Sequence, residues 1–124
     1  GEAEVTREDV LGRPIDHAQA AADALGAVVL LKGATTLVVS PTAAGRAIRS
    51  QADAPPWLAT AGAGDVLAGI LGTLVAAGLD LVNAASVGAF VHGVAADRAN
   101  PGGPVRALAV ARKVPGVVAA VLTA

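Results

Sequence analysis

The sequence predicts a layered α/β domain, rich in helix with a few strands, on three observations. Two short β-branched runs, residues 27–31 (Ala-Val-Val-Leu-Leu) and 36–40 (Thr-Leu-Val-Val-Ser), are bounded by Gly, Lys and Pro as strands are. Two longer and nearly all-apolar stretches, residues 66–77 and 81–98, have the length and continuity of buried helices. A glycine-rich turn, Ala61-Gly62-Ala63-Gly64-Asp65, leads into the first of them.

Taken in order, Thr6 and Asp9 have the spacing of a capping box with Asp in place of Glu, so a short helix starts there. Pro14 suits the first turn of a second helix running to Leu25, and Gly26 stands where that helix closes. Residues 27–31 read as a strand buried on both faces, as parallel strands are. Lys32-Gly33 punctuates it, residues 36–40 form the next strand, and Pro41 stops it. Ala47, Ile48 and Arg49 suit a third short strand, whereas Ala54-Pro55-Pro56 is irregular. Gly78 ends the helix over 66–77, and Asp80 is a natural N-cap for the helix over 81–98. After the Asn-Pro-Gly-Gly-Pro loop at 100–104, the remainder reads as two short helices divided near Pro115. Two or three strands offer too little sheet for helices this apolar, so the chain looks like part of a larger α/β layer.

Composition narrows the chemistry. A chain of 124 residues is one domain or a piece of one, and 54% hydrophobic residues with a mean hydropathy of +0.62 exclude disorder. Nine Lys+Arg against ten Asp+Glu give a net charge of -1, and Trp57 and Phe90 are the only aromatics, which argues against a nucleic-acid groove. The absence of cysteine removes disulfides, thiolate catalysis and Cys-ligated zinc. His17 and His92 lie too far apart in sequence for a dense metal site. The longest uncharged apolar run, residues 66–79, has 14 residues and is closed by Asp65 and Asp80. A bilayer core requires about 20. The opening Gly-Glu-Ala-Glu has neither the basic nor the apolar region of a signal peptide. The expectation is a cytoplasmic protein that handles small molecules, without nucleic-acid or membrane partners.

Two constellations can carry chemistry. In Ala61-Gly62-Ala63-Gly64-Asp65, glycines at alternate positions allow a tight turn and a close approach by a ligand. They lie at the mouth of a helix, where amide N–H groups lack internal partners and the dipole is positive. Gly62, Ala63 and Gly64 are therefore the candidate anion hole for a phosphate. The turn is neither a Walker A loop nor a complete G-x-G-x-x-G, and Asp65 as a plain helix cap is an equal alternative. A carboxylate placed directly at an anion hole is repelled by the anion unless it has work there, such as taking a proton from an attacking hydroxyl.

The second constellation is Lys32-Gly33-Ala34-Thr35-Thr36. A lysine closing a buried strand must bring its head to a site or to the surface. Gly33 permits a close approach, and two threonine hydroxyls can bond a phosphate or a sugar. An ordinary hairpin with a solvated lysine is the plainer alternative. His92 suits a packed core histidine, Asp80 and Asn83 suit a helix start, and Arg98, Arg106, Arg112 and Lys113 suit solvated helix faces and ends. Trp57 fits either core or the wall of a nucleotide pocket.

Together, residues 29–36 (Val-Leu-Leu-Lys-Gly-Ala-Thr-Thr), residues 57–70 (Trp-Leu-Ala-Thr-Ala-Gly-Ala-Gly-Asp-Val-Leu-Ala-Gly-Ile) and Val91-His92-Gly93 resemble the ADP-dependent NAD(P)H-hydrate dehydratase family of the ribokinase-like superfamily. The resemblance implies the C-terminal part of a three-layer α/β/α fold over residues 1–124. It also implies repair of hydrated NADH and NADPH by an ADP-driven dehydration that yields the intact cofactor, AMP and phosphate. By resemblance, the AMP-binding run falls on Lys32, Gly33, Ala34, Thr35 and Thr36, with Gly64 adding a backbone contact. Asp65 falls on the carboxylate that faces the hydrated nicotinamide and activates its hydroxyl. Magnesium is expected to accompany the ADP phosphates.

The chain departs from the family at Ala61, where a second glycine is common. Gly1-Glu2 resembles the tail of a family His-Pro-Gly-Glu segment, so the N-terminal half of the domain, with most substrate contacts, is expected to be missing. Whether the piece is active alone, or self-associates, stays open. Two other readings stand beside this one: the same half of a vitamin or sugar kinase, and a non-catalytic piece that docks onto a partner.

Overall fold

The computed structural model describes residues 4–33, 35–45, 48–51 and 55–123. Ala34, Ala47 and Ala54, on which sequence expectations fall, lie outside the described residues. The chain divides into two compact units, Gly1–Ser50 and Gln51–Ala124.

The first unit opens with helix α1, Arg7–Gly12, and its capping box is formed as the sequence predicts. The Asp9 N–H donates to Thr6 Oγ1 at 3.2 Å, and the Thr6 N–H donates to Asp9 Oδ2 at 2.9 Å. The bond from the Thr6 backbone, then that with the Thr6 hydroxyl, hold the Asp9 carboxyl below the ordinary value of 3.8. A carboxyl depressed in the folded state contributes stability above its unfolded pKa and loses it as pH falls through the folded one. The difference in urea midpoint between the parent and Asp9→Asn is therefore expected to shrink between about pH 5 and about pH 2. A difference that stays constant over that range refutes this account of the cap.

Helix α2, Pro14–Leu25, begins on a proline and ends at Gly26, whose φ is +62°. Its buried Ala18 and Ala22 pack on Leu37 and Val39, with Val29 and Leu31 alongside. The sheet comprises β1 (Val29–Leu31), β2 (Thr36–Val39) and β3 (Ile48–Gln51) in the order β1-β2-β3. β1 and β2 are antiparallel, pairing Val29 with Val39, Leu30 with Val38 and Leu31 with Leu37. This corrects the expectation of a parallel strand buried on both faces: β1 is only half-buried, while β2 is buried throughout. The connection from Lys32 to Thr35 is far shorter than the dozen or so residues a parallel crossover needs.

A side-chain network fastens α2 to the end of β2. The Thr42 N–H donates to Asp23 Oδ1 at 2.7 Å and the Thr42 hydroxyl to Asp23 Oδ2 at 3.1 Å. Gln19 Nε2 donates to the Ser40 carbonyl at 3.0 Å and to Asp23 Oδ1 at 3.1 Å. Asp23 thus caps the 3₁₀ turn Thr42–Ala44, whose own N-cap, Pro41, has no side-chain acceptor.

The second unit is helical. A 3₁₀ turn, Pro56–Leu58, precedes α3 (Ala63–Ala76), α4 (Leu81–Ala99) and α5 (Ala107–Thr123). α4 packs against both α3 and α5. Its small buried residues, among them Ala84, Ala85, Gly88, Ala89, Ala95 and Ala96, let the neighbouring helices approach closely. Leu58, Ala63, Val91, Val105, Val110 and Val117 fill the core between them. Asp80 caps α4 as predicted, accepting from the Asn83 N–H at 2.9 Å.

Two boundaries differ from the sequence reading. α3 starts three residues early, because Gly62 and not Asp65 is its N-cap. α5 runs straight through Pro115 as a single helix. An interior proline removes one helical hydrogen bond and costs about 3 kcal/mol. Burial of Val110 and Val117, with Val114 packed on the same core, offsets that cost along one continuous face.

Candidate functional site

The candidate residues fall into two groups, one in each unit. In the second unit the approach to α3 is a run of tight turns. The Thr60 N–H donates to the Leu58 carbonyl at 2.8 Å, and the Ala63 N–H donates to the Thr60 carbonyl at 3.2 Å. Gly62 then takes φ +84°, ψ -10°, a left-handed conformation that turns the chain into the helix without a side-chain cap. Ala63, Gly64 and Asp65 are the first three residues of α3, and the Val66 N–H closes the first turn onto the Gly62 carbonyl at 3.2 Å.

This geometry redistributes the donors of the expected anion hole. Ala63 is buried and its N–H is committed to Thr60. Among the described residues the Gly62 N–H has no backbone acceptor, and neither have the N–H groups of Gly64 and Asp65. Both residues are exposed, and a Cβ built on Gly64 would meet nothing within 4 Å. Two open donors at the positive end of a helix 14 residues long, flanked by an exposed carboxylate, are an arrangement that can hold an anion beside a proton acceptor.

In the first unit, Lys32, Gly33 and Thr35 are exposed on the β1–β2 connection, and Ala34 lies outside the described residues. Partial burial lowers the Lys32 ammonium below its ordinary pKa, so a neighbouring anion would stabilise its charged form. The two threonines part company: Thr35 is exposed, whereas Thr36 begins β2 and is only 4% exposed. Gly33 would tolerate a Cβ, which would meet Thr35 O at 3.5 Å, an ordinary contact.

His92 is fully buried in α4, in keeping with a packed core residue. Arg98 lies in the last turn of α4, where a cation complements the helix dipole. Trp57, left undecided by the sequence, stands half-exposed on the 3₁₀ turn before α3. Sequence reading also missed the commitment of the Ala63 donor to Thr60, since no residue pattern signals a main-chain turn bond.

A family model described as NAD(P)H-hydrate dehydratase matches residues 7–112, and the chain belongs to that family, whose fold is ribokinase-like α/β. An ADP-dependent (S)-NAD(P)H-hydrate dehydratase of Neisseria meningitidis is 50% identical over 72 residues, covering 58% of this chain and 23% of that protein. A bifunctional NAD(P)H-hydrate repair enzyme of Mycobacterium leprae is 47% identical over 83 residues, 65% of this chain and 17% of that enzyme. Another from Thermofilum pendens is 42% identical over 90 residues, 73% of this chain and 17% of that enzyme. The chain thus spans about a fifth of the length of these relatives. Among the described residues no helix is long and apolar enough to cross a membrane.

Proposed function

We propose that this chain carries the phosphate-binding turn and the catalytic carboxylate of an ADP-dependent dehydratase that repairs hydrated NADH and NADPH in the cytoplasm. The observation that carries this reading is the start of α3, where the open N–H groups of Gly64 and Asp65 adjoin an exposed carboxylate. Phosphoryl transfer needs that pairing: donors for the charge that develops on phosphate, and a base for the attacking hydroxyl.

The hydroxyl oxygen of the hydrated nicotinamide ring attacks the β-phosphorus of ADP. The bond from that phosphorus to the bridging oxygen breaks, AMP leaves, and Asp65 takes the hydroxyl proton. The new phosphate ester then departs with the carbon–oxygen bonding pair while the adjacent carbon gives up a proton to water. This restores the ring double bond and releases phosphate. Gly64 and Asp65 hold the transferring phosphate through their N–H groups. By family resemblance alone, the AMP contacts are assigned to the run Lys32, Gly33, Ala34, Thr35 and Thr36.

No three His, Cys, Asp or Glu side chains gather among the described residues. Magnesium, when bound, would accompany the nucleotide and neutralise phosphate charge. ADP with magnesium, titrated calorimetrically into this chain, is expected to bind saturably and more tightly than ATP. The same preparation is expected to restore reduced-nicotinamide absorbance from hydrated cofactor when ADP is supplied. A folded chain that binds neither nucleotide overturns the assignment. A preference for ATP with the phosphate retained on product favours the vitamin or sugar kinase.

A further inference from the structure

We propose that Trp57 is a ring-stacking residue that covers a flat nitrogen heterocycle of the nucleotide bound at the start of α3, an inference that rests on the function proposed above. Trp57 is the only tryptophan of the chain and is 50% exposed. A half-exposed indole leaves a large apolar face in water, a state that binding of a planar partner relieves. Its backbone is held on both sides. Pro55 and Pro56 precede it, Leu58 behind it is buried in the core of the same unit, and the turn is closed by the Leu58 N–H on the Pro55 carbonyl at 3.0 Å and the Ala59 N–H on the Pro56 carbonyl at 3.2 Å. The chain then doubles back through the Thr60–Leu58 and Ala63–Thr60 bonds straight into Gly62 and the open donors of α3. An aromatic on a backbone held this way needs no reordering of the main chain when a ring settles on it, which favours a stacking platform. Adenine is a planar aromatic ring and the reduced nicotinamide of the product is a nearly flat, non-aromatic one, and both are present in the proposed reaction.

Because the chain has one tryptophan and no tyrosine, its intrinsic fluorescence reports on Trp57 alone. ADP carries only the adenine ring, and reduced nicotinamide mononucleotide only the other. Quenching with a shift of the emission maximum by one of them supports the proposal and names the ring. The ligand that quenches is expected to bind Trp57→Ala about tenfold more weakly or worse, and Trp57→Phe within about threefold of the parent. Circular dichroism on both variants checks that they fold. Saturable ADP binding by calorimetry with no change in fluorescence from either ligand overturns the role of Trp57 and leaves the proposed function standing. Unchanged affinity in a folded Trp57→Ala does the same. A folded parent that binds no ADP overturns both.

Discussion

Asp65→Asn is expected to lower dehydration turnover by about 100-fold or more while ADP affinity stays equal or improves. The split follows from the position of the carboxylate. Asp65 is exposed in the first turn of α3, next to donors left open toward an anion. A negative charge there opposes phosphate binding, so removing it relieves a repulsion. Asparagine keeps the shape and the backbone N–H but cannot take a proton from the attacking hydroxyl. The competing view makes Asp65 a helix-start residue that complements the dipole, worth about 0.3–1 kcal/mol of stability and nothing in catalysis. Urea unfolding and single-turnover kinetics on the same variant separate the two. Turnover within about tenfold of the parent, with a small loss of stability, favours the structural role and sinks the base.

What the sequence made legible follows the range of the interactions involved. The capping box at Thr6 and Asp9, the proline start of α2 and the Asp80 cap of α4 depend on residues three or four apart, and all stand as read. An apolar β-branched run is compatible with either strand direction, and only the short Lys32–Thr35 connection makes β1 and β2 antiparallel. Pro115 predicts a break by a local rule that the packing of Val110 and Val117 overrides. The bond from Thr42 to Asp23 joins residues 19 apart and leaves no pattern in the sequence.

At the candidate site, residue types were legible but the division of labour among them was not. Gly62, Gly64 and Asp65 could be named from the turn alone. That Asp65 would be the third residue of the helix and not its cap depends on the left-handed backbone at Gly62. That Thr36 would be buried while Thr35 stays exposed depends on where β2 begins.

The two glycines of the α3 turn look equivalent in sequence, yet their alanine variants are expected to move stability in opposite directions. Gly62 sits at φ +84°, and a Cβ there would lie 3.2 Å from the Ala107 Cβ. A side chain in the left-handed region costs about 1–2 kcal/mol before that contact is counted. Gly62→Ala is therefore expected to destabilise by about 2 kcal/mol or more, lowering Tm by roughly 10 °C. Gly64 is different: it is the second residue of α3, and a Cβ would meet nothing within 4 Å. Alanine is the better helix former, so Gly64→Ala is expected to raise stability by as much as about 1 kcal/mol. Its methyl group would stand beside the N–H proposed to hold the phosphate, and ADP affinity is expected to fall about tenfold, close to 1.4 kcal/mol. Among the described residues nothing lies within 4 Å of a Cβ at this position, so a variant at once more stable and weaker in binding would trace its glycine to the ligand. Calorimetry on Gly64→Ala decides it: ADP affinity equal to that of the parent rejects the start of α3 as the phosphate site, whatever the variant does to stability.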